Sequence, residues 1–377
     1  MSEALPCQRA LFKMPDDVAY LNSAAFSPVS RAVQAAGVLG VQTKVTPWTP
    51  ALGQTDAWAD RARAAAAGLI GAAPDDIALT NAVSYGIATA ARNISIPPGT
   101  RVLMIEAEFP SLALVWTDLA RAANASIDIV KRPADGDWTP AILDAIHRPG
   151  APPVGLAALT PLHWSDGALI DLASIIPAVR AQGGLVVIDA TQAVGVLDID
   201  VATLAPDYLA FPTYKWVLGP YSTAFLYAAP HRQNGQPLEH HGATRDGDKL
   251  HPGARRYDRG EFRDPIGLPM AVAGMAQVAA WGAPAIAARL RGLTDALANA
   301  VADIPGVTAL ARHLRAPHIL GLRIEGGIPA TLLDGLAAQH TYVAERGGVL
   351  RVSPHVYNNE ADVERFGNAL RTCLAAA

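Results

Sequence analysis

The chain has 377 residues, of which 51% are hydrophobic, and a formal net charge of -4. That length and apolar content allow a large buried core in one domain with a lobe or in two domains. The slight acidic balance, with no basic run or aromatic-basic stripe, argues against a nucleic-acid or membrane-surface role. The opening residues Met1 to Cys7 lack a charged segment followed by an apolar one, and no apolar stretch reaches the roughly 18 residues of a membrane helix. A cytoplasmic protein is therefore expected. The two cysteines, Cys7 and Cys373, stand near opposite ends and offer neither a disulfide framework nor a metal-ligand pattern.

In chain order, a helical pattern over 56–70 leads to a strand near 77–79. Small and hydroxyl residues then open a further helix at Ser84. Backbone N–H groups at such a start, aided by Ser84, make a phosphate cradle, and a plain strand-to-helix turn is the competing reading. Apolar runs at 101–105, 154–159, 185–189 and 224–227 read as strands, with helices at 111–124 and 172–182 among them. This rhythm predicts an α/β fold with a mostly parallel sheet, its strands covered on both faces. The polar stretch 231–264 reads as a long functional or interface loop. Its His240 and His241, with His251, read as solvated rather than metal-binding. A helical run from 268 continues through Pro284 to 302, and strands near 319–322 and 350–352 complete a smaller α+β part. The expected division is a large domain over 21–264 and a small one from 1–20 with 265–377.

Lys215 lies among hydrophobic and aromatic neighbours, Tyr214-Lys215-Trp216-Val217-Leu218. An unpaired ammonium is costly to bury, whereas a lysine engaged as a Schiff base escapes that cost. Asp189 ends the apolar run 185–189 and points into the crevice where α/β sheets bind ligands. Its carboxylate suits a protonated pyridine nitrogen, with a plain helix cap as the alternative. Together Lys215 and Asp189 suggest pyridoxal phosphate. Gln192 is within reach of that ring's phenolic oxygen, and Phe109, before a Pro-Ser turn, is placed to stack on the ring or to fill the core. Arg351 sits in an apolar strand, where a substrate carboxylate or an acidic neighbour must answer its charge.

Taken together these residues resemble the class V aminotransferase family, the fold-type I group that also holds cysteine desulfurases, selenocysteine lyases and isopenicillin N epimerase. The likeness runs from Tyr20-Leu21-Asn22-Ser23 to Arg351-Val352-Ser353-Pro354-His355. It implies Lys215 as the Schiff-base lysine, Asp189 as the pyridinium partner and Gln192 on the phenolic oxygen. It also implies Phe109 as the ring-stacking residue, Val83 and Ser84 on the phosphate turn, and Arg351 as the carboxylate clamp. Tyr214 stands where many relatives carry histidine, and the resemblance leaves its hydroxyl as the group expected to reach the phosphate instead. Phe109 replaces the histidine of the desulfurases, and Trp164 lies near a position often held by asparagine. Glu261 follows Gly260 where a partner-subunit threonine often contacts the phosphate.

The resemblance implies an amino-acid substrate and a homodimer with active sites at the interface. Transamination or β-elimination is the expected chemistry. Epimerisation of the isopenicillin N epimerase type and a catalytically silent cofactor-binding protein are the alternatives. Trp164 and His163 are the expected substrate-binding and specificity residues, together with the 231–264 loop. Persulfide-forming desulfuration is disfavoured, because no cysteine lies between Gly321 and Arg351.

Overall fold

The structure is a computed structural model that describes residues 4–48 and 52–376, so Met1 to Glu3 of the N-terminal segment lie outside the described residues. Its centre is a seven-stranded sheet in the order Ile77–Thr80, Ala224–Ala228, Tyr208–Pro212, Leu185–Asp189, Val154–Leu159, Arg101–Ile105, Ser126–Val130. Only Ala224–Ala228 runs antiparallel to its neighbours, and the remaining pairs are parallel. The strands form where apolar residues run without alternation, because helices cover both faces. Within one strand, Val102 and Met104 join the core on one face, while Leu103 and Ile105 join the core on the other.

The strand Tyr208–Pro212, absent from the sequence reading, is the one that leads to Lys215. Its start is held by the buried Asp207 carboxylate, which accepts 2.7 Å bonds from Arg180 and Arg232 and a 2.8 Å bond from the Val186 amide. The expected run 268–302 is two helices, Gly267–Trp281 and Ala283–Ala300, meeting at 80°. Gly282 makes the break with a φ of 78°, a left-handed conformation that a side chain disfavours. The 231–264 stretch is mostly irregular but contains the short hairpin Arg245–Asp246 with Lys249–Leu250 and three 3-10 turns.

Beyond these helices lies a four-stranded antiparallel sheet in the order Val307–Ala309, Leu320–Ile324, Val349–Val352, Ala344–Arg346. The N-terminal segment joins this part of the chain: Ala19–Tyr20 pairs in parallel with Thr341–Tyr342, and Asn22 bridges Ser353. No single helix among the described residues is long and apolar enough to cross a membrane.

Candidate active site

The loops leaving the carboxyl ends of the parallel strands enclose a cleft of about 740 Å³. Val83, Ser84, Phe109, Trp164, Asp189, Gln192, Tyr214 and Lys215 line it. Residues that were far apart in sequence meet there because each follows a strand pointing the same way.

Lys215 is 8% exposed, and its ammonium is pulled down to about 7, first by burial and then by the charge of Arg351. Asp189 opposes that shift, but is itself buried, and burial pushes its carboxyl up. It accepts a 2.9 Å bond from the Thr191 amide, and Lys215 is the cation that acts on it. The helix Val83–Asn93 opens on the same cleft. Ala82 precedes it and no side chain caps it, so its first backbone N–H groups are free for an anion. Gly86 seats this helix against the lysine's strand: a Cβ there would lie 3.2 Å from the Ala210 Cβ.

Gln192 is clamped. Trp216 Nε1 donates to its Oε1 at 2.7 Å, and its Nε2 donates to the Ala24 carbonyl at 3.0 Å. One amide hydrogen is left for the cleft. Trp216 in turn lies between His318, edge-on at 4.3 Å, and His355, stacked at 5.5 Å. Burial pulls both imidazoles down, to about 3 and about 4, so both are neutral. His318 Nε2 donates to the Gln192 carbonyl at 2.6 Å. The Trp216→Phe variant leaves the buried Gln192 oxygen without its donor, which should destabilise the protein by about 1–3 kcal/mol. It should also move the pH midpoint of the cofactor's visible band. A lowered melting temperature with an unmoved midpoint would show that Trp216 packs the core without orienting Gln192.

Phe109 is 42% exposed and meets Trp164 edge-on at 5.5 Å, forming one aromatic wall of the cleft. Ala107, left-handed at φ 54°, turns the chain there, and Trp164 Nε1 donates to its carbonyl at 2.8 Å. The Tyr214 ring packs on Tyr221 at 4.2 Å, and burial pushes its hydroxyl up to about 12, so it stays protonated.

Arg351 does not line the cleft directly but acts on Lys215 from close by. It is 2% exposed, with Nη1 on the Trp164 carbonyl at 2.9 Å and Nε buried without a partner. The expected alternative, an acidic neighbour, is not found among the described residues. Burial pulls this guanidinium down to about 9, and Arg346 pulls it further in the same direction.

His163 departs from expectation. It is 1% exposed, with Nδ1 on Ser165 Oγ at 2.8 Å and Nε2 on the Glu106 carbonyl at 3.2 Å. Its ring stacks on Trp138 at 5.5 Å, and burial, followed by the charge of Arg132, holds it at about 4. Both nitrogens are occupied and the ring is neutral, so it supports the Trp164 loop from behind.

Two residues in or near the cleft were not found in the sequence. Glu108 lines the cleft, and burial followed by the Asp189 charge pushes its carboxyl up to about 8. Its Oε1 accepts from the Phe109 amide at 2.6 Å, while Oε2 is buried without a partner. Nothing in the local pattern marks it. Arg346 was findable. The pair Gly347-Gly348, with φ of 60° and 78°, is the signature of a two-residue hairpin turn, which sets Arg346 and Arg351 on one face.

The donor set fits pyridoxal phosphate: a buried amine for the aldehyde, a buried carboxylate for the pyridine nitrogen, an uncapped helix start for the phosphate and an aromatic wall for the ring. A doubly covered, mostly parallel α/β sheet with these groups at one cleft defines a fold-type I pyridoxal-phosphate enzyme. The chain belongs to the class-V aminotransferase family, whose family model matches residues 19–366. Its cofactor is pyridoxal phosphate.

Among curated relatives, the chain is 28% identical to isopenicillin N epimerase of Streptomyces clavuligerus, over 82% of this chain and 83% of that one. It is 27% identical to a probable cysteine desulfurase of Methanothermobacter thermautotrophicus, over 82% of each. Among solved structures, the apo cysteine desulfurase of Thermococcus onnurineus NA1 superposes with a TM-score of 0.87 at 19% identity, covering 100% of both chains. A C-DES variant with glycine covalently linked to its PLP cofactor superposes with a TM-score of 0.84 at 19% identity, covering 96% of this chain and 98% of that one. At these identities the superpositions speak for the fold.

Proposed function

We propose that the enzyme acts at the α-carbon of a small amino acid, by transamination or β-elimination. The observation that carries this reading is a buried lysine amine drawn to about 7 beside a buried, unpaired arginine. Bound pyridoxal phosphate supplies the electron sink for the bond broken at the α-carbon. Arg351 takes the substrate carboxylate in the two-pronged geometry its fork favours. Lys215 would hold the cofactor's aldehyde, and its Nζ would accept the proton from the substrate's α-carbon. Asp189 would hold the proton on the pyridine nitrogen, and the N–H groups at Val83 and Ser84 would hold the phosphate. Gln192 donates to the phenolic oxygen, Tyr214 borders the phosphate side, and Phe109 with Trp164 shields the ring from water.

Epimerisation is the second reading, and Glu108 favours it. A carboxyl that titrates at about 8 in the same cleft is a second group able to carry a proton near neutral pH. Desulfuration by a persulfide remains disfavoured. Cys7 bonds to the Tyr357 and Asn358 carbonyls, Cys373 lies against Gln339, and neither lines the cleft.

A homodimer is supported by the apolar stripe Val38, Val41 and Val45 on the helix Arg31–Val45, followed by Trp48 at 80% exposure. A monomeric active species in sedimentation would refute it.

The deciding experiment incubates the holoenzyme with a panel of L- and D-amino acids. A keto acid with aminated cofactor means transamination, pyruvate with a released β-group means elimination, and inversion with solvent deuterium at the α-carbon means epimerisation. If none of the panel perturbs the cofactor's absorption, the enzymatic reading fails.

A further inference from the structure

We infer that the cleft has a second carboxylate-binding position, at Arg346, and that the substrate is an amino acid carrying a distal carboxylate. The inference rests on the amino-acid reading above and narrows it to a substrate class.

The strands Ala344–Arg346 and Val349–Val352 form a hairpin in which Ala344 faces Arg351 and Arg346 faces Val349. Directly opposed residues share a face, and so do residues two apart on one strand. Arg346 and Arg351 are therefore diagonal neighbours on one face, at a spacing of roughly 7–8 Å. The Gly347-Gly348 turn fixes that register, because both positions need positive φ.

Like charges so close on one sheet face repel, and among the described residues no carboxylate forms an ion pair with either. Arg346 is half-buried and donates to the Glu345 carbonyl at 2.7 Å, with no ion pair among the described residues. Arg351 keeps a buried Nε without a partner. Both positive charges act on Lys215, so both arginines lie near the amine, behind the residues that line the cleft. One α-carboxylate on Arg351 leaves Arg346 unanswered. A second carboxylate, two or three carbons further along the substrate, answers it.

The test titrates the holoenzyme with L-aspartate, L-glutamate and L-alanine, following the cofactor's visible band and the rise in melting temperature on binding. Half-saturation by at least one of the two diacids should come at a concentration roughly ten-fold or more below that of alanine. Arg346→Gln should bring that ratio close to one, and Arg346→Lys should restore part of it. Arg351→Gln should weaken all three ligands together. A wild-type ratio near one, or a ratio unchanged in Arg346→Gln, overturns the inference while leaving the amino-acid reading intact. Failure of all three amino acids to move the band, together with failure of the wider panel, removes both.

Discussion

Lys215→Ala is expected to abolish the visible band that the wild-type protein develops with pyridoxal phosphate, and to lower turnover by roughly 10²–10⁴-fold or more. In the proposed mechanism the lysine both holds the cofactor and accepts the proton at the α-carbon, so both functions end with one side chain. Its replacement is tolerated structurally, because removing a buried ammonium relieves a desolvation penalty. The variant should therefore fold, bind the cofactor without covalent attachment and melt at or above the wild-type apoprotein. The pH dependence follows from the amine's position. An ordinary lysine at 10.5 is almost wholly protonated at neutral pH, whereas Lys215 at about 7 is substantially free. Attachment of the cofactor to the wild-type apoprotein should thus accelerate as pH rises through about 7 and level off above. Arg351→Gln, by removing the second-largest cause of the depression, should move that rise to higher pH. A rise near pH 10 in the wild type would refute the assignment.

Asp189→Asn is the second large effect, with turnover expected to fall by roughly 10²–10³-fold, the scale of removing one preorganised electrostatic partner. The asparagine retains the shape of the side chain but no longer holds a proton on the pyridine nitrogen. Stability supplies an independent reading. Burial raises the Asp189 carboxyl, so its ionised form is disfavoured by folding. The stability tied to that raised value is complete below the ordinary value of 3.8 and is lost as pH rises through the folded one. At neutral pH the wild-type apoprotein is therefore burdened by this group, and bound cofactor relieves the burden. The Asp189→Asn apoprotein should melt no lower than wild type, while its gain in melting temperature on adding pyridoxal phosphate should shrink. An undiminished gain would show that the carboxylate does not face the cofactor.

The legible part of the site was the part written in short segments. Strands buried on both faces read as unbroken apolar runs, and residues that follow them stood out: Asp189 after 185–188, Ser84 after 77–79 and Phe109 after 101–105. Lys215 was legible because a lone amine among aromatic residues needs a chemical reason. Its strand, Tyr208–Pro212, was not, because it is short and ends in a proline, a residue that argues against a central strand. The break is marked by Gly282 with Pro284 in the first turn of the next helix, and it was read through because the alanine-rich segments beyond them share one helical pattern.

His163 shows the limit most clearly. From the sequence it stood beside Trp164 in a candidate substrate loop, and both were given the same role. The fold turns Trp164 into the cleft and His163 onto Trp138, because adjacent residues leave the backbone in different directions. Glu108 is the converse: it sits next to Phe109 without any sequence signal, and only packing pushes its carboxyl up to about 8.

The sequence by itself determined the α/β class and the cofactor and pointed to the side chains proposed to meet it, because each rests on a local apolar pattern ending in one chemically costly residue. Tertiary structure alone decided what surrounds those side chains. It set Trp216 and His318 on Gln192 with His355 stacked behind Trp216, left Arg351 without an acidic partner among the described residues and brought Arg346 to the same face. Those arrangements depend on strand register and on contacts between segments more than a hundred residues apart, as between His318 and Gln192. Local pattern specifies the elements, and only their packing fixes which charges face one another.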